Sequence, residues 1–327
     1  MTDSEPLPRN LQVYDYHPNL ADFRQVVLQG LHRKPKQLPP WLFYDRRGSE
    51  LFDQIVAHPD YYPPDAERAI YQHHGAEIAR ELGEEVLLIE PGAGSCVKIR
   101  WLLEAGVDVR RYLPLEVSGD NLRQHAIALA GEYPDLSIQA LIVNYREAIH
   151  WPPQVREDTR RTVVFFPGSS IGNYELDEVE ELLFFFRHWI PGEGGLLIGV
   201  DNPKDIATLE RAYNDRDGLT AAFNLNVIDR ISAAFGVASF KDEFTHQARY
   251  DSTLQRIEMH LVARRKFRIK LGEDTIRFEA DESIHTENSY KYRADQFEAL
   301  ARTAAFDTPT TWRDPHELFT VFYFPVG

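Results

Sequence analysis

The sequence holds one cysteine, Cys96, among 327 residues. A single thiol excludes an internal disulfide and any metal centre built on several cysteines. Positive charge is also scarce: 36 Lys and Arg stand against 51 Asp and Glu, for a formal net charge of −15. A nucleic-acid binder needs a basic footprint to displace counterions from phosphate, so that class is set aside. Long apolar runs are missing. The most apolar stretches, Leu182–Phe186 and Leu196–Val200, fall far short of the roughly 20 residues a membrane span takes. Met1–Asn10 carries acids and prolines, unlike a secretory signal, so a cytoplasmic protein is expected. The 12 histidines include no H-x-x-x-H pair, and adjacent His73 and His74 on a helix point apart, so no metal site is expected.

What remains is enough for a large core, with 43% hydrophobic and 12% aromatic residues. The length suggests about two domains, at about 150 residues each. The helical spacing of Leu20, Phe23, Val27 and Leu31 predicts a helix over 20–31, broken by Pro35, Pro39 and Pro40. A second helix covers Tyr44–Ile55, and Asp65 caps a third through about Leu82. From residue 86 the rhythm changes. Val86–Glu90, Tyr112–Val117, Leu136–Val143, Thr162–Phe166 and Gly195–Asp201 read as strands, with helices around Ile99–Leu103, Asn121–Gly131 and Glu175–Trp189. Continuous apolar strands alternating with helices indicate an α/β fold, a doubly wound parallel sheet covered on both faces. Beyond it, Lys204–Phe223 and Asn226–Phe235 look helical, and Phe244–Asp251 and Arg256–Ala263 alternate as antiparallel strands that Phe267–Leu271 and Asp274–Ala280 extend. After a Gln296–Ala304 helix, Thr308–Arg313 and Phe319–Phe324 form an antiparallel edge on the main sheet. The expected division is therefore 66–203 plus 293–327 as the sheet domain, and 1–65 plus 204–292 as an inserted α+β substrate domain.

Two segments carry chemistry. Glu90-Pro91-Gly92-Ala93-Gly94-Ser95 lies between a strand and a helix, and Glu116 ends the next strand. Glycines let a ligand approach the backbone, and an acid at the second strand's end suits ribose hydroxyls. Position 97 is Val97 where a dinucleotide motif would have its third glycine, and no Gly-Lys-Ser/Thr follows. That combination fits S-adenosylmethionine, with Lys98 near its carboxylate and Asn144-Tyr145 at the adenine. The second segment, Pro167-Gly168-Ser169-Ser170-Ile171-Gly172-Asn173, follows the fourth strand, where the reacting substrate belongs. It also matches a nucleophile elbow centred on Ser170, which makes a hydrolase a rival reading. A nucleoside-binding module without transfer is another. Tyr44, Tyr61, Tyr213, Met259, Glu287 and Ser289 lie in the flanking segments; singly, buried tyrosines and a methionine of this kind serve packing.

The blocks LPPWLFYDRRGSELFDQI, HPDYYPPDAE, EPGAGSCVK, VVFFPGSSIGN, RAYNDRDGLTAAFNLNV, RIEM and TENSYKY together resemble the histidine-specific, S-adenosylmethionine-dependent methyltransferases, the L-histidine Nα-methyltransferases of ergothioneine biosynthesis. The resemblance runs from about Pro35 to the C-terminus. It implies a Rossmann-like methyltransferase sheet and three methyl transfers that turn L-histidine into hercynine, with S-adenosylhomocysteine as the other product. It places Gly92, Gly94, Lys98, Glu116, Asn144 and Tyr145 around the cofactor, and Asn173 and Tyr213 at the amine and carboxylate of the amino acid. Tyr44 falls beside the amine, and with Asn173 is the expected catalytic pair. Tyr61, Glu287 and Ser289 read the imidazole while Met259 packs against it. Glu116 and Asn144 each stand where an Asp is expected in this family, and both keep an oxygen acceptor. The partners implied are L-histidine and its mono- and dimethyl forms, for a monomer that meets neither nucleic acid nor membrane. A methyltransferase of another amino acid, such as tryptophan, is the alternative on the same scaffold.

Overall fold

The computed structural model describes residues 6–16 and 22–327. Leu20, expected to open the first helix, and the first five residues of the Met1–Asn10 segment lie outside them. In chain order the elements are β1 (Leu11–Asp15), α1 (Phe23–His32), β2 (Lys36–Gln37), α2 (Arg46–Val56), α3 (Pro63–Leu82), β3 (Val86–Pro91), α4 (Ile99–Glu104), β4 (Val109–Glu116), α5 (Gly119–Glu132) and β5 (Ser137–Ile142). There follow β6 (Arg161–Phe166), α6 (Leu176–His188), β7 (Gly194–Asp201), α7 (Ile206–Tyr213), α8 (Leu219–Phe235), β8 (Phe244–Asp251) and β9 (Arg256–Ala263). The chain closes with β10 (Phe267–Leu271), β11 (Asp274–Phe278), β12 (Ser283–Tyr290), α9 (Ala294–Thr303), β13 (Thr310–Arg313) and β14 (Phe319–Val326).

The large sheet has the order β1-β5-β4-β3-β6-β7-β14-β13. Strands β1 through β7 along that order run parallel, whereas β14 returns antiparallel against β7 and β13 against β14. Strands β3 and β7 are buried along their whole length, as a sheet with both faces covered requires. Separate apolar cores fill its two sides, one around Ile70, Ile78, Leu88 and Val163, the other around Leu87, Val164, Phe186 and Phe297. Strand order reverses between β3 and β6, and such a switch point opens a crevice at the strands' carboxyl ends. The glycine loop after β3 and the Pro167–Asn173 loop after β6 both lie there.

A second sheet, β2-β12-β9-β8, holds a third core with Val27, Leu51, Phe223 and Met259 among its members. Several sequence expectations need correction. The N-terminal strand β1, expected in the substrate domain, pairs in parallel with β5 at the edge of the large sheet. The expected helix over Lys204–Phe223 is two helices, because the Asp215 carboxylate accepts the Leu219 and Thr220 N–H groups, each at 2.7 Å, and Gly218 turns left-handed at φ +72°. Strands β10 and β11 do not extend the second sheet; they pair only with each other. The segment Ser283–Tyr290, in which no strand was expected, is the second sheet's central strand β12.

Candidate functional site

The cofactor side starts from the loop after β3. Gly92 and Gly94 both have positive φ, at 67° and 52°, which only glycine adopts without strain. Their turn is held by β4, whose Leu115 carbonyl accepts the Gly92 N–H at 2.8 Å. One Glu116 carboxylate oxygen accepts from the Gly94 N–H at 3.2 Å and the other from the Val117 N–H at 2.8 Å, so the acid sits against the loop. A Cβ on Gly92 would meet the Tyr145 hydroxyl at 3.5 Å, whereas one on Gly94 would meet nothing within 4 Å. The loop is thus roofed by an aromatic ring at one end and open at the other. The Tyr145 hydroxyl lies 2.7 Å from that of Tyr174. Beneath the loop, burial pushes the Glu90 carboxyl up to about 8, against the Tyr112 hydroxyl that donates to it at 2.5 Å. This donor set, an acid beside an open glycine turn with an aromatic wall, fits S-adenosylmethionine.

Two expected cofactor residues are engaged elsewhere. Lys98 donates to Glu67 at 2.8 Å. Glu67, fully buried on α3, also accepts the Gly168 N–H at 2.9 Å and so ties the two loops of the crevice together. Asn144 closes its own turn: its amide donates to Glu147 at 2.7 Å and its oxygen accepts the Arg146 N–H at 3.2 Å.

The substrate side hangs on β12. Cross-strand pairing sets Glu287 opposite Met259 and Ser289 opposite Ile257, so Glu287, Ser289 and the third core share one face. A bulge between His285 and Glu287 lets the strand keep this register. Burial pushes the Glu287 carboxyl up to about 8, partly offset by Lys291. Among the described residues that carboxyl has no hydrogen-bond partner. Ser289 and Tyr213 join hydroxyl to hydroxyl at 2.7 Å, and the Tyr61 ring stands edge-on to Tyr213 with centroids 5.8 Å apart. Tyr44 follows the helical turn Pro40–Phe43 and packs edge-on against Phe52 and Phe223. With 39% of its surface open it lines the cleft, where desolvation and then the charges of Glu287 and Glu116 push its phenol well up. Tyr44 thereby feels the charge of both the cofactor acid and the substrate acid.

The loop after β6 reaches this face because Gly172 permits it. A Cβ there would stand 2.8 Å from the Tyr290 carbonyl oxygen of β12. Asn173, next in the chain, has no side-chain hydrogen bond among the described residues and is free to meet a ligand. The nucleophile-elbow reading finds no support: Ser170 donates to the Pro167 carbonyl at 3.0 Å, and Ser169, the left-handed residue, accepts the Asp201 N–H at 2.9 Å.

Sequence reasoning passed over the layer behind these groups. Lys291, immediately after β12, pairs with Asp201 at 2.8 Å, and both are essentially inaccessible. Asp201 also takes Lys204 at 2.5 Å and the Tyr62 hydroxyl at 2.7 Å. The lysine was visible inside TENSYKY, but a cation in a polar run is usually solvated, and nothing local marked it as buried.

A doubly wound sheet with a glycine turn and an acid at its switch point is a nucleoside-binding arrangement, and the second sheet sets polar side chains beside it. The chain matches the description "Histidine-specific methyltransferase, SAM-dependent" over residues 23–326, and it belongs to that family. It is 37% identical over 297 residues to the histidine N-alpha-methyltransferase of Mycolicibacterium smegmatis, covering 89% of this chain and 91% of the relative. It is 27% identical to ergothioneine biosynthesis protein 1 of Neurospora crassa, over 85% of this chain and 32% of that longer protein. It is 25% identical to the 4-dimethylallyltryptophan N-methyltransferase of Epichloe festucae var. lolii, over 95% of this chain and 96% of that one. Among the described residues no helix is long and apolar enough to cross a membrane.

Proposed function

We propose that the protein methylates the α-amine of L-histidine three times, with S-adenosylmethionine as donor, to give hercynine for ergothioneine biosynthesis. When bound, the donor supplies a methyl group on a positively charged sulfur, whose departure as a neutral thioether needs no covalent enzyme intermediate. The protein's part is alignment and exclusion of water. Gly92, Gly94, Glu116 and Tyr145 hold the nucleoside portion, with Lys98 and Asn144 reaching it on rearrangement of their present partners. Tyr44 and Asn173 orient the amine, which attacks only as the neutral base; before each transfer the ammonium gives one proton to water, and the transfer then forms one N–C bond and breaks one S–C bond. Tyr61 and Tyr213 flank the amino acid, and Met259 packs on its ring. After the third transfer no lone pair remains and the reaction stops.

The observation that carries this reading is the Glu287 carboxyl, without a hydrogen-bond partner among the described residues, on the same strand face as the Ser289 hydroxyl. An acceptor and a hydroxyl together match the two nitrogens of an imidazole, whereas an indole has one donor and no ring acceptor. The test is incubation of the purified protein with labelled donor and single amino acids, read by mass spectrometry. Successive mono-, di- and trimethylhistidine are expected. Label on tryptophan at a comparable rate, or on no amino acid, overturns the proposal.

A further inference from the structure

Lys291 is 1% exposed, and its ammonium has three protons to place. Three acceptors surround it: the Asp201 carboxylate at 2.8 Å, the Ser289 hydroxyl at 2.7 Å and the Tyr213 hydroxyl at 3.3 Å. The two hydroxyl oxygens are themselves 2.7 Å apart, and either can be the donor. If Tyr213 donates to Ser289, the serine oxygen accepts twice, from tyrosine and lysine, and its own proton is free for a ligand. If Ser289 donates to Tyr213, the tyrosine oxygen accepts twice and its proton is free. In both arrangements one proton of the pair is left over, because the lysine takes a lone pair on each oxygen, and the Tyr61 hydroxyl is the other hydrogen-bond neighbour of Tyr213.

We infer that Lys291 is a positioning residue for substrate selectivity, fixing the Ser289–Tyr213 pair as a hydrogen-bond donor toward the ring that enters beside Glu287. This rests on the histidine reading above and deepens it. Glu287 accepts and the hydroxyl pair donates, so the slot answers a ring with one N–H and one bare nitrogen. A ring with N–H but no bare nitrogen satisfies Glu287 and leaves the donor facing carbon, a cost the correct substrate does not carry. Without the lysine, either hydroxyl can turn its proton inward toward Asp201 and present a lone pair instead. The slot would then lose its sense of direction and keep its shape.

The decisive variant is Lys291→Met, which replaces the ammonium with an apolar chain of similar length. It does not strand a charge, since Asp201 keeps Lys204 at 2.5 Å and the Tyr62 hydroxyl at 2.7 Å. Binding of histidine is compared with binding of a pyrrolylalanine, in which C–H replaces the acceptor nitrogen, and S-adenosylhomocysteine affinity serves as the control for folding. The expected result is a rise of about tenfold in KM for histidine, the equivalent of one hydrogen bond, with kcat at saturation changed far less. The preference for histidine over the pyrrole analogue should narrow by a similar factor, with cofactor affinity retained. If both amino acids weaken equally, or neither does, the lysine has no directing role. Should Lys291→Met not fold, Lys291→Gln, which keeps an amide donor, enters the same comparison. Wild-type protein that leaves histidine unmethylated overturns the functional reading itself, an outcome distinct from any behaviour of the variants.

Discussion

On the proposed reading Tyr44 serves the amine and Glu287 the ring, so the two should fail in different ways. If Tyr44 orients the amine, Tyr44→Phe removes a hydroxyl that matters to alignment. Its kcat should fall by more than tenfold, while the affinity for S-adenosylhomocysteine, measured by calorimetry, changes by less than about threefold, within the worth of one neutral hydrogen bond. Equal losses would remove Tyr44 from the reacting end. Glu287→Ala should weaken histidine binding by about 1.5–3 kcal/mol above pH 8, where the carboxyl is ionised, and by about 1 kcal/mol below it, where the hydrogen bond is a neutral one; an unchanged titration would discard the assignment. At this scale the sequence was most informative where residue type and spacing carry chemistry by themselves, as at Gly92, Gly94 and Glu116. It was least informative about Lys98 and Asn144. Which partner a long or amide side chain chooses depends on Glu67 and Glu147, and no spacing rule reports those contacts.

Among the elements, β12 explains most of what reading the sequence did not reach. Its residues Ser283–Tyr290 are largely polar, and the bulge between His285 and Glu287 puts Ile284, Glu287 and Ser289 on one face, so the simple alternation that marks a half-buried strand is absent. The parallel strands of the large sheet were legible for the opposite reason: buried on both faces, they are nearly all apolar. The break between α7 and α8 was readable in Asp215 and Gly218, a capping acid and a left-handed glycine. Packing between elements gives a further prediction. Gly172 brings the turn that carries Asn173 against β12, and a methyl group there would lie 2.8 Å from the Tyr290 carbonyl oxygen, on backbone that cannot swing aside. Gly172→Ala should lower stability by about 1–3 kcal/mol, the usual cost of forced packing. By displacing Asn173 it should also raise KM for histidine. Thermal melts and steady-state kinetics check the two halves separately, and a variant with both unchanged would mean that the loop approaches β12 less closely.

Over the whole molecule, two desolvated acids, Glu90 buried and Glu287 half-buried, make stability depend on pH. Glu90 and Glu287 are each pushed up to about 8 from an ordinary value of 4.5. Between those limits the folded protein holds protons that the unfolded chain has released, so stability declines as pH rises through that window and levels off above it. Asp201 and Glu258 act oppositely. Their carboxyls are lowered, Glu258 to about 2, despite the burial that opposes it, by Lys291 and Lys204 in one case and Arg256 in the other. Their contribution is present above the ordinary carboxylate range and lost as pH falls toward 2. Thermal melts of the ligand-free protein should therefore fall from about pH 5 to pH 8, and Glu287→Gln should flatten that slope. A melting temperature that climbs across the interval would contradict the desolvation of both acids. The doubly wound architecture was visible in the sequence from the alternation of apolar strands and helices. The place of β1 was not, since its five residues, Leu11–Asp15, find their partner only in β5, more than a hundred positions away.

The contact between Asp201 and Lys291 joins the last residue of β7, in the large sheet, to the residue after β12, in the small one. Each half therefore contains an ion whose counterpart is in the other. A fragment cut to carry the amino-acid slot by itself would bury an ammonium without its carboxylate, which costs far more than an exposed break. The two halves are sutured, not merely adjacent. A hybrid that grafts a foreign slot onto this sheet keeps Lys204 on Asp201 only if the junction falls after residue 204, and otherwise has to bring a cation of its own.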